Sequence, residues 1–131
     1  MYRYLFHHLA KFNYSNVIEI AATVTDASGV VDVTANITLP NSTVTQLTLS
    51  NDSTHDDKFN ASYTIPLLLG EYNVTFIAND TSNNINNSET TNFTVNDIVN
   101  PSVTALVPNN SVFNVSNAIE ISANATDDAT I

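Results

Sequence analysis

Apolar and polar residues alternate with period two along most of this chain, the pattern of strands with one buried and one wet face. In Val17–Thr25 the apolar phase is Ile18, Ile20, Ala22 and Val24. In Val31–Leu39 it is Val31, Val33, Ala35, Ile37 and Leu39. A short strand is expected at Val44–Leu49, and Lys58–Ile65 places Phe59, Ala61, Tyr63 and Ile65 in phase. Glu71–Asn79 turns Tyr72, Val74, Phe76 and Ala78 inward, and Thr91–Val95 does the same with Phe93 and Val95. A further strand starts at Val103. Between these runs lie DASG, LPNS, NDSTHDD and DTSNNINNS, rich in the residues that favour turns. No stretch shows a helical period. The expectation is an all-β fold, an antiparallel two-sheet β-sandwich of about seven strands.

One segment occurs twice. FNYSNVIEI, Phe12–Ile20, returns as FNVSNAIEI, Phe113–Ile121, and 10 of the 19 positions from Phe12–Val30 are identical in Phe113–Ile131. The offset of 101 residues is too long for a solenoid repeat and suits one whole sandwich domain. Residues 1–99 therefore read as one domain, with 1–11 (Tyr2–Phe6 in particular) at the place of a degenerate first strand. Residues 100–131 read as a linker and the first strands of the next repeat.

The stretch from Gly70 to Asp80 follows a G-x-Y-x-V-x-F-x-A-x-D pattern. It places Tyr72 to act as a tyrosine corner, its hydroxyl tying down the preceding turn. With FNxSNxIEIxAxxTD, ANITLPNSTV, GEYNVTFIANDTSNN and the joint FTVNDIVNPSVTALVPNNSVF, the chain resembles the tandem Ig-like repeats of archaeal and some bacterial cell-surface and filament proteins. The resemblance spans nearly all of residues 12–131. It implies an Ig-like sandwich with a surface or appendage role, and no particular ligand.

Asparagine is the anomaly of composition, 20 of 131 residues, beside 29 serines and threonines and only two glycines. Twelve asparagines begin an N-x-S/T triplet: Asn13, Asn36, Asn41, Asn51, Asn60, Asn73, Asn79, Asn86, Asn92, Asn109, Asn114 and Asn124. Composition alone would give about four. On a strand, an asparagine and the hydroxyl residue two positions on share a face. Asn36, Asn60, Asn73, Asn79, Asn92 and Asn124 fall on expected strands, all in the polar phase, although asparagine is disfavoured in strands. N-glycosylation at all twelve accounts for this, because an attached sugar needs a solvent-facing amide and would solvate a surface with few charges. Filling wet positions with uncharged polar residues is the plainer alternative.

The remaining chemistry is sparse. The net charge is −10 with three basic side chains, which disfavours nucleic acid and anionic membranes as partners. There is no cysteine, no Gly-rich phosphate loop and no apolar run able to span a bilayer. Of the histidines, His7 and His8 interrupt the apolar start of the chain, a poor export signal. His55 joins Asp52, Asp56 and Asp57 in a loop that reads as solvated rather than metal-binding. Calcium at the joint between repeats could draw on Glu19, Asp26, Asp80 and Asp97, with Glu120 and Asp127 in the second copy. No catalytic constellation is present, and no cofactor is expected. The leading expectation is a structural, glycan-coated unit of an extracellular filament or cell-surface stalk, with copies of itself or adjacent repeats as partners end to end. The alternatives are an adhesin repeat, binding through NDSTHDDKF around His55–Lys58, or an accessory repeat of a secreted protein.

Overall fold

The structure, a computed structural model, describes residues 12–127. Among them are eight β-strands and no helix: β1 Val17–Thr23, β2 Val30–Thr38, β3 Val44–Asp52, β4 His55–Thr64, β5 Gly70–Asp80, β6 Ile85–Val95, β7 Ser102–Val107 and β8 Ser122–Thr126. All strand pairs are antiparallel. The chain divides into two compact units, one ending at Asp97 and the other starting at Ile98. The expected strand at Tyr2–Phe6, with His7 and His8, lies outside the described residues.

The first unit is a six-stranded sheet in the order β1-β4-β3-β2-β5-β6. Its curl comes from β3, which divides its hydrogen bonds between two neighbours. Residues Val44–Leu49 pair with β2, and Ser50–Asp52 pair with β4. The segment leading into β1 meets the opposite end of the strand order: Phe12 forms a parallel bridge to Val95, and the Asn96 N–H donates to the Phe12 carbonyl at 3.0 Å. The Phe12 ring meets Phe93 edge-on, with centroids 5.8 Å apart.

Inside the curl the apolar phases form one core. Ile18, Ile20 and Ala22 of β1 join Phe59 and Tyr63 of β4, Val33, Ala35 and Ile37 of β2, Tyr72, Val74 and Phe76 of β5, and Phe93 and Val95 of β6. The non-directional burial of apolar surface drives this arrangement, and period-two patterning decides which side chains take part. Val31 departs from expectation. The β2–β5 register slips between Val30 and Asp32, so Val31 is the extra residue of a bulge and is exposed, while Val30 packs on the core in its place.

Two loops are shorter than their composition suggests. The polar stretch NDSTHDD is mostly strand, since β3 runs to Asp52 and β4 starts at His55, leaving a turn at Ser53–Thr54. Asp52 makes the turn itself, its Oδ1 accepting from the Thr54 backbone N–H at 2.9 Å and the Thr54 hydroxyl at 2.7 Å. Likewise, β6 starts at Ile85 rather than Thr91, within DTSNNINNS. Both arms carry little apolar alternation, so their sequences resemble loops while their backbones satisfy a ladder.

Two contacts fix the entry to β5. Gly70 has φ +126°, and a Cβ there would lie 3.1 Å from Pro40 Cβ. Tyr72, fully buried, donates its hydroxyl to the Leu68 carbonyl at 2.9 Å, as the corner expectation requires, and stacks on Phe93 with centroids 4.8 Å apart.

The second unit is a two-stranded sheet of β7 and β8. Its apolar residues are exposed, among them Val103, Leu106, Val112, Phe113, Val115, Ile119 and Ile121. The repeated sequence makes the contrast with the first unit direct. Ile18 and Ile20 are 8% and 0% exposed, whereas their counterparts Ile119 and Ile121 are 44% and 81% exposed.

Candidate functional site

The chemistry this chain repeats most often is the acceptor asparagine, and its setting follows from the strands. Seven of the twelve, Asn41, Asn51, Asn73, Asn92, Asn109, Asn114 and Asn124, are exposed, and Asn13, Asn36, Asn60, Asn79 and Asn86 are half-buried. On β2, β5 and β6 the core side chains alternate with Asn36, Asn73 and Asn92, which therefore share the opposite face. Register brings them close together. Asn73 is opposite Thr38 on β2 and Asn92 on β6, while Asn36 is opposite Thr75, the hydroxyl residue of the Asn73 triplet. Cross-strand partners on one face have Cβ atoms about 5 Å apart.

The local bonding of these amides differs. In the turn between β2 and β3, Asn41 Oδ1 accepts from the Thr43 backbone N–H at 3.1 Å and from the Thr43 hydroxyl at 2.7 Å. Asn86 Oδ1 does the same with Ser88, at 3.0 and 2.9 Å. In both triplets the hydroxyl residue closes an Asx turn onto its own asparagine. Asn36 Oδ1 accepts from Gln46 Nε2 at 3.2 Å, and Asn73 Nδ2 donates to Glu71 at 3.2 Å. Asn60 Nδ2 donates to Glu19 Oε1 at 2.7 Å, beside the Lys58 ammonium on the same oxygen at 2.7 Å. Hydrogen bonds from Lys58 and then Asn60 hold the Glu19 carboxyl below its ordinary range. A glycan replaces one of the two Nδ2 hydrogens, so the bonds of Asn60 and Asn73 could survive attachment.

Asn79 is a correction to the all-outward reading. Its amide oxygen is buried and has no hydrogen-bond partner among the described residues. The β5–β6 register slips between Phe76 and Ala78, immediately before it. Asn79 lines a cavity of about 220 Å³ with Val24, Asp26, Val30 and Asp80.

Two of the acidic residues considered for calcium, Asp26 and Asp80, are bonded within their own turns. Asp80 Oδ1 accepts from the backbone N–H groups of Ser82 and Asn84, each at 2.8 Å, and Oδ2 accepts from Asn84 Nδ2 at 2.8 Å. These bonds, the Asn84 side chain foremost, hold the Asp80 carboxyl below its ordinary range. Asp26 Oδ1 accepts from the Ser28 backbone N–H and hydroxyl. Among the described residues no three histidine or acidic side chains converge as a metal site. Periodicity alone could not have shown that Asp80 clasps the β5–β6 turn, although the spacing D-x-S-x-N carries the signal of an Asx-type turn.

Comparison with protein families, curated proteins and solved structures finds no match.

Proposed function

We propose that this chain is a structural, N-glycosylated unit of an extracellular filament or cell-surface stalk, built from Ig-like sandwich repeats joined end to end. The observation that carries the reading is the face of β2, β5 and β6 directed away from the core, where Asn36, Asn73 and Asn92 stand, each with its hydroxyl residue two positions on. Side chains there lie outside the core, yet they spell an acceptor triplet on all three strands. Sugars on that face would solvate a surface poor in charge and discourage sheet-to-sheet association.

The sandwich reading draws support from β3, which links a β1–β4 pair to a β2–β5–β6 group around a common core, and from the Tyr72–Leu68 corner. The end-to-end reading draws support from the second unit, where a repeated sequence leaves bare the apolar residues that its first copy buries. The adhesin alternative gains nothing from NDSTHDDKF, which is a tight hairpin rather than a broad loop.

Intact mass of the native protein tests the proposal. The expected result is a mass above the polypeptide value by many hexose-sized increments, removed by chemical deglycosylation. A mass matching the bare polypeptide would overturn it.

A further inference from the structure

Two acceptor asparagines of the first unit, Asn79 and Asn86, line the same cavity of about 220 Å³ at the end of the sheet where β5 turns into β6. The ladder places Asn86 opposite Ala78 and Ile85 opposite Asn79. Between the Phe76–Glu89 and Ala78–Asn86 pairs, β6 carries Asn87 and Ser88 against Ile77 alone, so the bulge falls within the Asn86 triplet. Asn86 Oδ1 accepts both Ser88 donors, which anchors its amide at the cavity wall. Across the ladder, Asn79 Oδ1 is buried with no hydrogen-bond partner, and a buried acceptor left unmet is costly. Asp26, also in the wall, bonds Ser28 through Oδ1 only. Half-buried Val30 and exposed Ile85 add apolar surface. At ~30 Å³ for each water, the space exceeds what one bridging water fills and has room for a sugar ring.

We infer that this cavity seats the glycan carried by Asn86. The first sugar ring folds back from the β6 bulge, lays its C–H face on Val30 and Ile85, and donates hydroxyl hydrogens to Asn79 Oδ1 and the Asp26 carboxylate. This rests on the reading of the acceptor triplets as glycosylated. Weak contacts suffice, because a ring tethered at the wall is present at the high effective concentration that its linkage supplies. Covering Val30 and Ile85 removes apolar surface from water, and the hydroxyl donors meet an oxygen that the protein itself leaves unmet. The Asn86 sugar is therefore a packed part of the fold, whereas sugars on Asn36, Asn73 and Asn92 coat the face turned away from the core.

The test uses the native, sugar-bearing chain and the same 131 residues made in a host that adds no sugar. Glycopeptide mass spectrometry reads the occupancy of Asn86. In the sugar-bearing protein, NMR should show nuclear Overhauser contacts from ring protons of the Asn86 sugar to the methyl groups of Val30 and Ile85, lost in Asn86→Gln. Urea unfolding adds a second readout. Ile85→Ala should lower the midpoint of the sugar-bearing chain more than that of the bare chain, a difference that altered strand propensity, equal in both, would not produce. An occupied Asn86 without those contacts, the same contacts made by a sugar on Asn79, or equal midpoint shifts would overturn the inference and leave the glycosylated reading standing. A bare Asn86 beside sugars elsewhere on the chain would do the same. A chain with no sugar at any triplet would overturn both.

Discussion

Asn73 and Asn92 stand directly opposite one another on β5 and β6, both exposed on the face turned away from the core. Their Cβ atoms are therefore about 5 Å apart, too close for two branched sugars to leave side by side without crowding. Each molecule is expected to carry a glycan at one of the two positions and rarely at both. Mass spectrometry of a glycopeptide spanning residues 73–92 reads this directly, and N73Q should raise occupancy at Asn92. Abundant doubly modified peptide would show that the face accommodates both.

Tyr72 is expected to stabilise the fold through its hydroxyl as well as its ring. Tyr72→Phe keeps the stack on Phe93 and removes only the donor to the Leu68 carbonyl, a loss of about 1 kcal/mol. Urea unfolding should show a lower midpoint at unchanged slope. An unchanged midpoint would mean that the hydroxyl contributes nothing net.

Gly70 and Gly29 both have positive φ, but only Gly70 faces a close neighbour. A Cβ at Gly29 would meet Thr81 Cγ2 at 3.8 Å, an ordinary contact, whereas at Gly70 it would meet Pro40 at 3.1 Å. Each glycine-to-alanine change should cost more than about 1 kcal/mol for backbone strain alone, and Gly70→Ala should cost the more of the two. Adding Pro40→Gly, which removes both the Cβ and the Cγ of that contact, should recover the excess, a coupling that a double-mutant cycle measures. Equal costs for the two alanine variants would remove the Pro40 contact from the account.

Asp80 makes the first unit sensitive to acid. Its folded carboxyl titrates below the ordinary value because Asn84 and Ser82 donate to its charged form. The stabilisation is therefore present above the unfolded-state pKa near pH 4 and is lost as pH falls through the lower folded value. Asp80→Asn should reduce the urea midpoint at pH 7, and the gap to the unsubstituted chain should narrow as pH falls below the unfolded-state value near 4. A gap constant through that fall would mean that the charge of Asp80 is not what clasps the turn.

Much of the fold was legible because burial in a sheet has a period of two. Ile18, Val33, Ala35, Tyr63, Tyr72, Val74 and Phe93 are in the core where alternation put them. Alternation is silent where neither face is buried, and there the arms of β3, β4 and β6 passed for loops. It is equally blind to a register slip, which left Val31 in water and drew the Asn79 amide oxygen out of it. Of the candidate site, the triplets and their strand phase were readable, whereas the Asn73–Asn92 juxtaposition needed the pairing of β5 with β6.

The two copies of one sequence separate local from tertiary causes. FNYSN and FNVSN make the same turn: Ser15 and Ser116 have φ of +62° and +69°, and the Asn16 and Asn117 N–H groups bond back to the carbonyls of Asn13 and Asn114 at 3.3 and 3.2 Å. That turn needs nothing beyond its own residues, since an i to i+3 bond closes within the segment. The strand that follows does need more. Ile18 and Ile20 lie in a ladder with β4 and are buried, while Ile119 and Ile121, in the same sequence without that neighbour, face solvent. Sequence alone set the turn and chose which side chains would be apolar. Whether those side chains form a core depended on a partner strand, because a strand's hydrogen bonds and its apolar face are satisfied only by residues distant along the chain.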